Sequence, residues 1–181
     1  MEIIKIEGSD NDGFKKRKLL YRIGTTSDIT QLKELGQLAY GQFKNVLSEE
    51  NWGKMNSFLS TINSYNDLLN VARCFVCEDG NNIVGMAFWV PKGNPTDIFD
   101  NEWSYIRMVG VNPNYNGHGI GKKLTQMCIN FAKDNNEKII TLHTSEFMDK
   151  ARYIYESLGF VKIKEIEPLF GKKYWLYKLE I

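Results

Sequence analysis

The sequence predicts one mixed α/β domain, in which a central sheet of about seven strands is flanked by about four helices. The first observation is length, since 181 residues suffice for one hydrophobic core and are too few for two ordinary domains. The second is composition, because 43% hydrophobic and 25% charged residues are typical of a folded globular protein. The third is the succession of apolar patterns, which alternate between strand and helix periods along the chain.

The first half of the chain predicts a strand, two helices and a hairpin. The strand covers residues 19–23, and the oxygen-bearing side chains of residues 25–28 can then accept hydrogen bonds from the first amides of a helix. Apolar residues recur at helical spacing over residues 28–69, in two helices. Strands over residues 71–77 and 83–90 enclose an Asp-Gly pair, which favours the positive φ angles of a hairpin turn.

The second half predicts a strand, a helix and then three shorter elements around another helix. Residues 103–111 form a predicted strand that leads into a glycine-rich turn at residues 112–121. From Ile120 onward the apolar residues fall on one face of a helix. The remaining strand, helix and two strands are predicted over residues 138–143, 149–158, 160–166 and 174–179. Residues 1–16 are an N-terminal extension, so the domain is expected to cover residues 17–181.

Charge and cysteine content exclude several classes of function. The 23 basic and 22 acidic side chains give a net charge of +1, so no bulk field attracts nucleic acid or a membrane surface. Three cysteines are too few for a disulfide framework. The longest apolar run, residues 86–90, is far shorter than the roughly 20 residues of a membrane-spanning helix. With no secretory signal pattern at the start, we expect a cytoplasmic protein without nucleic-acid or membrane partners.

The glycine-rich turn, residues 112–121, carries the strongest functional signal. Its glycines leave the main chain uncovered, and a helix begins at once, so successive amides face one concavity beside a positive helix end. Such a place favours a phosphate, and Lys122 and Lys123 can strengthen it. A P-loop would need Ser or Thr after Gly121-Lys122, and a dinucleotide fingerprint would need G-x-G-x-x-G where the chain has G-x-G-x-G. A plain tight turn is the remaining alternative.

Two segments match a pair of motifs that occur together in one enzyme superfamily. Residues 111–121 match a strand that ends in Val-x-Pro and continues as Q/R-x-x-G-x-G/A, with Gly119 and Gly121 at the glycine positions and Asn116 where Gln or Arg is usual. Residues 151–160 match the helix and turn A-x-x-[LF]-Y-E-x-x-G-F. In both segments, and in their order, the sequence resembles the GCN5-related N-acetyltransferase (GNAT) superfamily.

The resemblance extends from residue 19 to the C-terminus and implies a mostly antiparallel sheet whose fourth and fifth strands splay apart. It implies acetyl-coenzyme A as co-substrate and no metal, with the pantetheine arm between those strands along Val109 and Val111. An amide at Met108 or Val109 would then donate to the thioester carbonyl. The residues expected to contact the cofactor are Met108, Val109, Val111, Asn116, Gly117, His118, Gly119, Ile120, Gly121 and Lys122.

The resemblance also implies an acid and a base. Tyr155 matches the usual acid, and a phenol with a reference pKa of about 10 is protonated at neutral pH; a core tyrosine is the alternative. Glu102, at the mouth of the fourth strand, is the first candidate for the base, directly or through water, against the alternative of a solvated loop carboxylate. His143 is the second candidate. Together with Glu102, Asp97 and Asp100 favour a cationic acceptor.

These features predict an N-acetyltransferase that moves an acetyl group directly to a primary amine of a small molecule or peptide. A catalytically silent acyl-coenzyme A binding module and an unrelated nucleotide-binding protein are the alternatives. Members of the superfamily often form homodimers, and the sequence leaves the oligomeric state open. Cys74 and Cys77 have metal-ligand spacing, but an offset of three on a strand places them on opposite faces, so zinc is not expected. Tyr40, Phe43, Trp52 and Met55 lie on the first two predicted helices, which the resemblance implies border the acceptor pocket, although core packing is the favoured interpretation for each of them singly.

Overall fold

Seven strands and five helices form the part of the chain that the computed structural model describes, residues 18–181. The strands are β1 (Leu19–Ile23), β2 (Arg73–Asp79), β3 (Asn82–Val90), β4 (Ser104–Val111), β5 (Ile139–Ser145), β6 (Val161–Leu169) and β7 (Lys172–Glu180). The helices are α1 (Ile29–Gly41), α2 (Glu49–Ser60), α3 (Ile62–Val71), α4 (Ile120–Asp134) and α5 (Asp149–Ser157). The predicted extension, residues 1–16, lies outside the described residues.

All seven strands belong to one sheet in the order β1-β2-β3-β4-β5-β7-β6. Every neighbouring pair is antiparallel except β4 and β5, which confirms the predicted mostly antiparallel sheet. The parallel pair is joined through α4, as a parallel connection requires a crossover. Its pairing is limited to Ser104 with Ile140 and Tyr105 with Thr141. Beyond these pairs β4 and β5 are no longer paired, in agreement with the predicted splay.

The second predicted helix is divided in two, which gives five helices where the sequence predicts about four. Thr61 adopts an extended conformation, with φ −95° and ψ 120°, between α2 and α3. Its hydroxyl donates to the Ser57 carbonyl at 2.7 Å, and the Tyr65 hydroxyl donates to the Leu59 carbonyl at 3.0 Å. Because these side chains satisfy carbonyls that lose helical partners, the helix ends here at little cost.

Hydrophobic clusters cover both faces of the sheet. One face packs against α4 and α5 through buried residues such as Leu124 and Tyr155, and the other packs against α1 and α3 through residues such as Leu32 and Tyr65. Each fully buried side chain of this size stabilises the fold by about 1.5–3 kcal/mol. None of the helices within residues 18–181 has the length and apolar character needed to cross a bilayer.

The cysteine pair of β2 is divided between these two clusters. Cys77 lies in the cluster with α4, whereas Cys74 lies in the cluster with α1, and both thiols are free and buried. Burial raises the pKa of the Cys77 thiol to about 11, so the thiolate that a metal would need is disfavoured. Residues 18–181 contain no group of three or more His, Cys, Asp or Glu side chains that could hold a metal ion.

Candidate active site

The splay of β4 from β5 opens a cavity of about 590 Å³ in the middle of the sheet. Its walls come from β4 and β5, from α1 and α2 on one side, and from the start of α4 and from α5 on the other. This volume lies within the range of about 300–1,000 Å³ that small-molecule and cofactor sites occupy. The cavity is therefore bordered both by the two segments that carry the sequence motifs and by side chains of α1 and α2.

A bulge interrupts β4 where it lines the cavity. The β3–β4 register shifts between Met86 and Phe88, so that Met108 and Val109 lie opposite Ala87 alone. Met108 has φ 54°, a left-handed backbone conformation that residues other than glycine rarely adopt and that costs about 1–3 kcal/mol. Because a bulge leaves one residue without its ladder partner, a main-chain group of Met108 or Val109 is released from the sheet at the cavity wall.

The glycine turn borders the same cavity. Gly117 and Gly119 have φ 85° and 71°, and a Cβ atom added to either would meet nothing within 4 Å. Gly119 precedes α4, and the first helical bond runs from the Lys123 amide to the Gly119 carbonyl at 2.9 Å. The amides of residues 119–122 consequently have no partner inside the helix, as at any helix start. The turn thus presents bare main chain and unpaired donors at a positive helix end.

The structure brings together only part of the predicted cofactor set. Five of these residues line the cavity: Met108, Val109, Val111, Asn116 and Gly121. Four lie on the exposed surface of the turn and of the first turn of α4: Gly117, His118, Gly119 and Lys122. Ile120 differs from both groups, because its side chain is buried in the core and only its amide belongs to the turn.

Tyr155 lies on α5 and lines the cavity from the α4–α5 side. The residue is 7% exposed and packs in the core cluster, with its ring 6.1 Å from that of Phe160. Burial, with a smaller contribution from the nearby Cys128 thiol, raises the pKa of the Tyr155 phenol well above its usual value. The phenol is therefore protonated throughout the physiological range and is a proton donor.

His143 lies on β5 at the opposite wall of the cavity. Its ring is 5.7 Å from that of Phe99 and 5.5 Å from that of Tyr174. Burial, assisted by the positive charge of Arg107, lowers the pKa of His143 to about 4, so the imidazole is neutral at pH 7. A neutral imidazole carries one nitrogen that can accept a proton.

Two buried polar atoms at the cavity have no hydrogen-bond partner within residues 18–181. They are Nδ1 of His143 and Oγ1 of the adjacent Thr144, both of which belong to lining residues. An unsatisfied buried polar group costs about 1–3 kcal/mol, and native proteins contain few of them. These atoms are therefore positioned to bind a ligand group or water inside the cavity.

Glu102 is not brought to this cavity. The residue is exposed in the turn before β4, where its carboxylate accepts from the Asn101 side chain at 3.1 Å and its amide donates to Asp100 at 2.9 Å. It does not belong to the lining residues that include Tyr155 and His143. The other two predicted acids, Asp97 and Asp100, are exposed in the same loop.

Several lining residues were missed by sequence analysis. Tyr40 of α1, Met55 of α2 and Phe43 of the segment between these helices line the cavity, whereas Trp52 does not. The missed residues are a cation on β4 and aromatic side chains from α2, the β5–α5 loop, the β6–β7 turn and β7, namely Arg107, Phe58, Phe147, Phe170 and Tyr174. A lone arginine inside the apolar strand Ser104–Val111 is the one signal in the sequence that could have indicated such a position.

The sequence matches the model of the Acetyltransferase (GNAT) family over residues 37–160. N-acetyltransferase 8B of Mus musculus is 29% identical over 109 residues, which are 59% of this chain and 45% of that protein. N-alpha-acetyltransferase 30 of Saccharomyces cerevisiae is 36% identical over 62 residues, which are 34% of this chain and 35% of that protein. The matches thus span less than half the length of these curated relatives.

The fold is also similar to solved structures. The crystal structure of the PaiA N-acetyltransferase of Thermoplasma acidophilum in complex with coenzyme A superposes with a TM-score of 0.73. The match covers 91% of this chain and 99% of that one at 11% sequence identity. At this level of identity the likeness is one of fold.

Proposed function

We propose that this chain, which belongs to the Acetyltransferase (GNAT) family, transfers an acetyl group from acetyl-coenzyme A to a primary amine of a small molecule or peptide. Membership of the family makes the chain an acyltransferase that acts on amino groups. The observation that carries the choice of donor is the continuous cavity, since the glycine turn, the splayed strands and Tyr155 all border it. We propose the cytoplasm as its compartment, because its three cysteines are free thiols.

The donor is supported by the fit between the cavity and a long anionic thioester. Amides of residues 119–122 are proposed to bind the pyrophosphate, which can approach because Gly117 and Gly119 have no side chains. Lys122 adds a positive charge at this position, and Asn116 and His118 lie beside it. Coenzyme A bound to the Thermoplasma acidophilum protein of similar fold is a precedent for this choice.

The edge of β4 is proposed to hold the pantetheine arm. Beyond Tyr105 this edge has no strand partner in β5, so main-chain groups of Val109 and Val111 can pair with amides of the arm as a strand would. The thioester supplies the acetyl group at the inner end of this arm. An amide of Met108 or Val109, released by the bulge, is proposed to donate to the thioester oxygen and to stabilise the negative charge that develops there.

Tyr155 is proposed to protonate the departing thiolate. An ordinary thiol has a pKa of about 8.5, so its thiolate is a better leaving group when a donor is close. The buried phenol of Tyr155 holds its proton at neutral pH and faces the cavity from α5. The role requires no charge on the tyrosine, which suits its apolar surroundings.

Two bases are proposed as rivals for the proton of the amine. Glu102 can act only through water, because its carboxylate is exposed and outside the lining of the cavity. His143 is favoured by a specific observation, since Nδ1 is buried at the cavity without a partner among the described residues and the ring is neutral. The variants Glu102→Gln and His143→Gln separate the two candidates. The variant that lacks the base should show a kcat lower than that of the wild type by about 100-fold or more, and the other should not.

The proposed function is tested by binding and turnover in sequence. Acetyl-coenzyme A at a hundred times its Kd should stabilise the protein by about 2.7 kcal/mol in thermal unfolding, and ATP or NAD should not. Release of free thiol is then measured with small amines, lysine and peptides that have free N-termini. Binding without thiol release from any acceptor would indicate the silent regulatory module. Stabilisation by ATP or NAD alone would indicate a nucleotide-binding protein.

A further inference from the structure

We infer that Arg107 binds a carboxylate of the acceptor, so that the preferred acceptor is an amino acid with a free carboxylate and an apolar side chain. This inference rests on the proposed function and narrows its acceptor class. It starts from a cation that the fold places in an apolar cavity. The roles proposed above for the glycine turn and for Tyr155 do not involve that cation.

Arg107 lies on β4 immediately before the bulge at Met108 and lines the cavity. Its guanidinium lies over the Phe58 ring of α2, 5.7 Å from the centroid. Within residues 18–181 the side chain makes no hydrogen bond and no ion pair. A guanidinium carries five N–H donors in a planar fork, and a single ring face leaves these donors unused.

Another partly buried arginine, Arg22, does have carboxylate partners. Arg22 donates to Asp28 with two nitrogens, each at 2.8 Å, and also to Glu78. The carboxylates repay the cost of removing that guanidinium from water, as a buried charge requires. Arg107 is also partly buried, and it has no carboxylate partner in the described part of the chain, so a ligand carboxylate is the partner that fits it. Carboxylate and guanidinium form a bidentate pair of good geometry.

The surroundings of Arg107 define the rest of the ligand. The cavity wall on this side is apolar and largely aromatic, with contributions from Phe43, Met55, Phe58, Leu59, Phe147 and Phe170. The one carboxylate of the lining, that of Asp149, pairs with Arg152 and is exposed. An aliphatic or aromatic side chain would bury its area against this wall.

Charge on this side of the cavity also disfavours a second cation. The positive charge of Arg107 reaches His143 across the cavity and contributes to lowering its pKa. The acids that led the sequence to suggest a cationic acceptor, Asp97, Asp100 and Glu102, are exposed outside the lining. A polyamine would therefore meet a like charge, whereas an amino acid brings the opposite charge. Since Arg107 adjoins the bulge proposed to hold the thioester, a carboxylate close to the amine suits this placement.

The test compares acceptors that differ only at the carboxylate. Phenylalanine, phenylalaninamide and phenethylamine share the ring and the amine, and leucine, leucinamide and isopentylamine form a second series. Because the carboxylate would form charge-assisted hydrogen bonds with Arg107, the wild type should prefer each amino acid by at least about tenfold in kcat/KM. The comparison needs no variant and so does not depend on whether a substituted protein folds.

Arg107→Gln then assigns the preference to this residue. The ratio of kcat/KM between phenylalanine and phenethylamine should fall at least about tenfold, and stabilisation by acetyl-coenzyme A checks that the variant is folded. Arg73→Gln is the matched control, because Arg73 also lies over a ring, that of Phe131 at 5.6 Å, on a strand outside the cavity. This control should keep the wild-type ratio.

The inference is overturned if the three acceptors react equally, if an amide or a peptide N-terminus is preferred, or if Arg107→Gln keeps the wild-type ratio. In those cases thiol is still released and the proposed function stands. If the protein binds acetyl-coenzyme A but releases thiol with no amine, the proposed function fails and the inference fails with it. The two failures are thus distinguished by turnover on any amine.

Discussion

The two sides of the cavity, one proposed to bind the acetyl donor and the other the amine acceptor, are built from different parts of the chain. The donor side, formed by the glycine turn and the edge of β4, offers main-chain groups that all lie within residues 108–122. The acceptor side offers side chains from α1, α2, β4, β5 and the β6–β7 turn, which are far apart in sequence. Main-chain recognition depends on a local motif, whereas a side-chain pocket depends on how distant elements pack.

The two sides also differ in which kinds of residue have positive φ angles. On the donor side the positive φ angles belong to Gly117 and Gly119, which adopt them at no steric cost. On the acceptor side Phe170 has φ 52°, and at the β4 bulge, where the two sides meet, Met108 has φ 54°; each of these conformations costs about 1–3 kcal/mol. Phe170 and Gly171 form the two-residue turn of the β6–β7 hairpin, where Asn-Gly is the usual choice. Phe170 thus lines the cavity from a backbone conformation that an asparagine would adopt more easily.

The largest effect is expected where the two sides meet. Tyr155→Phe removes the proposed donor to the thiolate and should lower kcat by about 100-fold while the Kd of acetyl-coenzyme A stays unchanged. Stopped-assay thiol release and thermal shift measure the two quantities. Tyr153→Phe on the same helix is the control, since this residue is 76% exposed and does not line the cavity. Equal turnover in Tyr155→Phe and Tyr153→Phe would remove Tyr155 from the mechanism.

The main-chain character of the donor side is tested at Gly119. Gly119→Val places a β-branched side chain at φ 71° and over the unpaired amides, so the Kd of acetyl-coenzyme A should rise by at least about tenfold. Gly53→Ala in α2 is the control, because its new Cβ also meets nothing within 4 Å but the position has no positive φ. Unchanged cofactor binding in Gly119→Val would contradict the proposed phosphate site.

The side-chain character of the acceptor side is tested at Phe170. Phe170→Asn keeps a residue that tolerates φ 52° but removes an aromatic wall, so the KM of an apolar acceptor should rise about tenfold. The Kd of acetyl-coenzyme A should not change. Ile163→Asn on exposed β6, outside the cavity, should leave both constants as in the wild type. A change in cofactor affinity alone would break the division between the two sides.

The smallest effect concerns stability and pH at His143. Its pKa falls from 6.5 to about 4 on folding, so the unfolded chain binds more protons between these values. Stability from the neutral ring is complete above pH 6.5 and is lost as the pH falls toward 4. His143→Gln should therefore lose less stability than the wild type between pH 7 and 4, as measured by urea unfolding. Parallel pH profiles for the two proteins would show that burial does not perturb this histidine.

Much of the fold could be predicted because its signals are local. The short apolar runs of β2 and β3, the Asp-Gly turn between them and the apolar face of α4 each depend on neighbouring residues. The break at Thr61 could not be predicted, because Ile62 continues the helical spacing of Phe58 and only the hydrogen bonds of the folded chain show where the helix ends. Local patterns give the kind of element more reliably than its end.

The candidate site divides in the same way. Gly117 and Gly119 were found because a motif of consecutive residues forms the turn, and main-chain donors need no particular side chain. Glu102 illustrates the opposite case, since its nearness in sequence to β4 indicated the mouth of the cavity, yet the turn directs it to solvent. Whether a side chain lines a cavity depends on the direction of its Cα–Cβ bond in the folded chain, and the order of residues alone does not specify that direction.

The sequence by itself determined the family, the order of the strands and the glycine-rich turn that is proposed to bind phosphate, because each follows from contiguous residues and short-range sterics. Only the tertiary structure decided which side chains line the cavity on the proposed acceptor side. It set Arg107 against Phe58, brought Phe147 and Phe170 to the same wall, and left Nδ1 of His143 unpaired within the described chain. These contacts join residues that are tens of positions apart, and they form only when hydrophobic burial closes α1, α2 and the β6–β7 hairpin around the splayed strands.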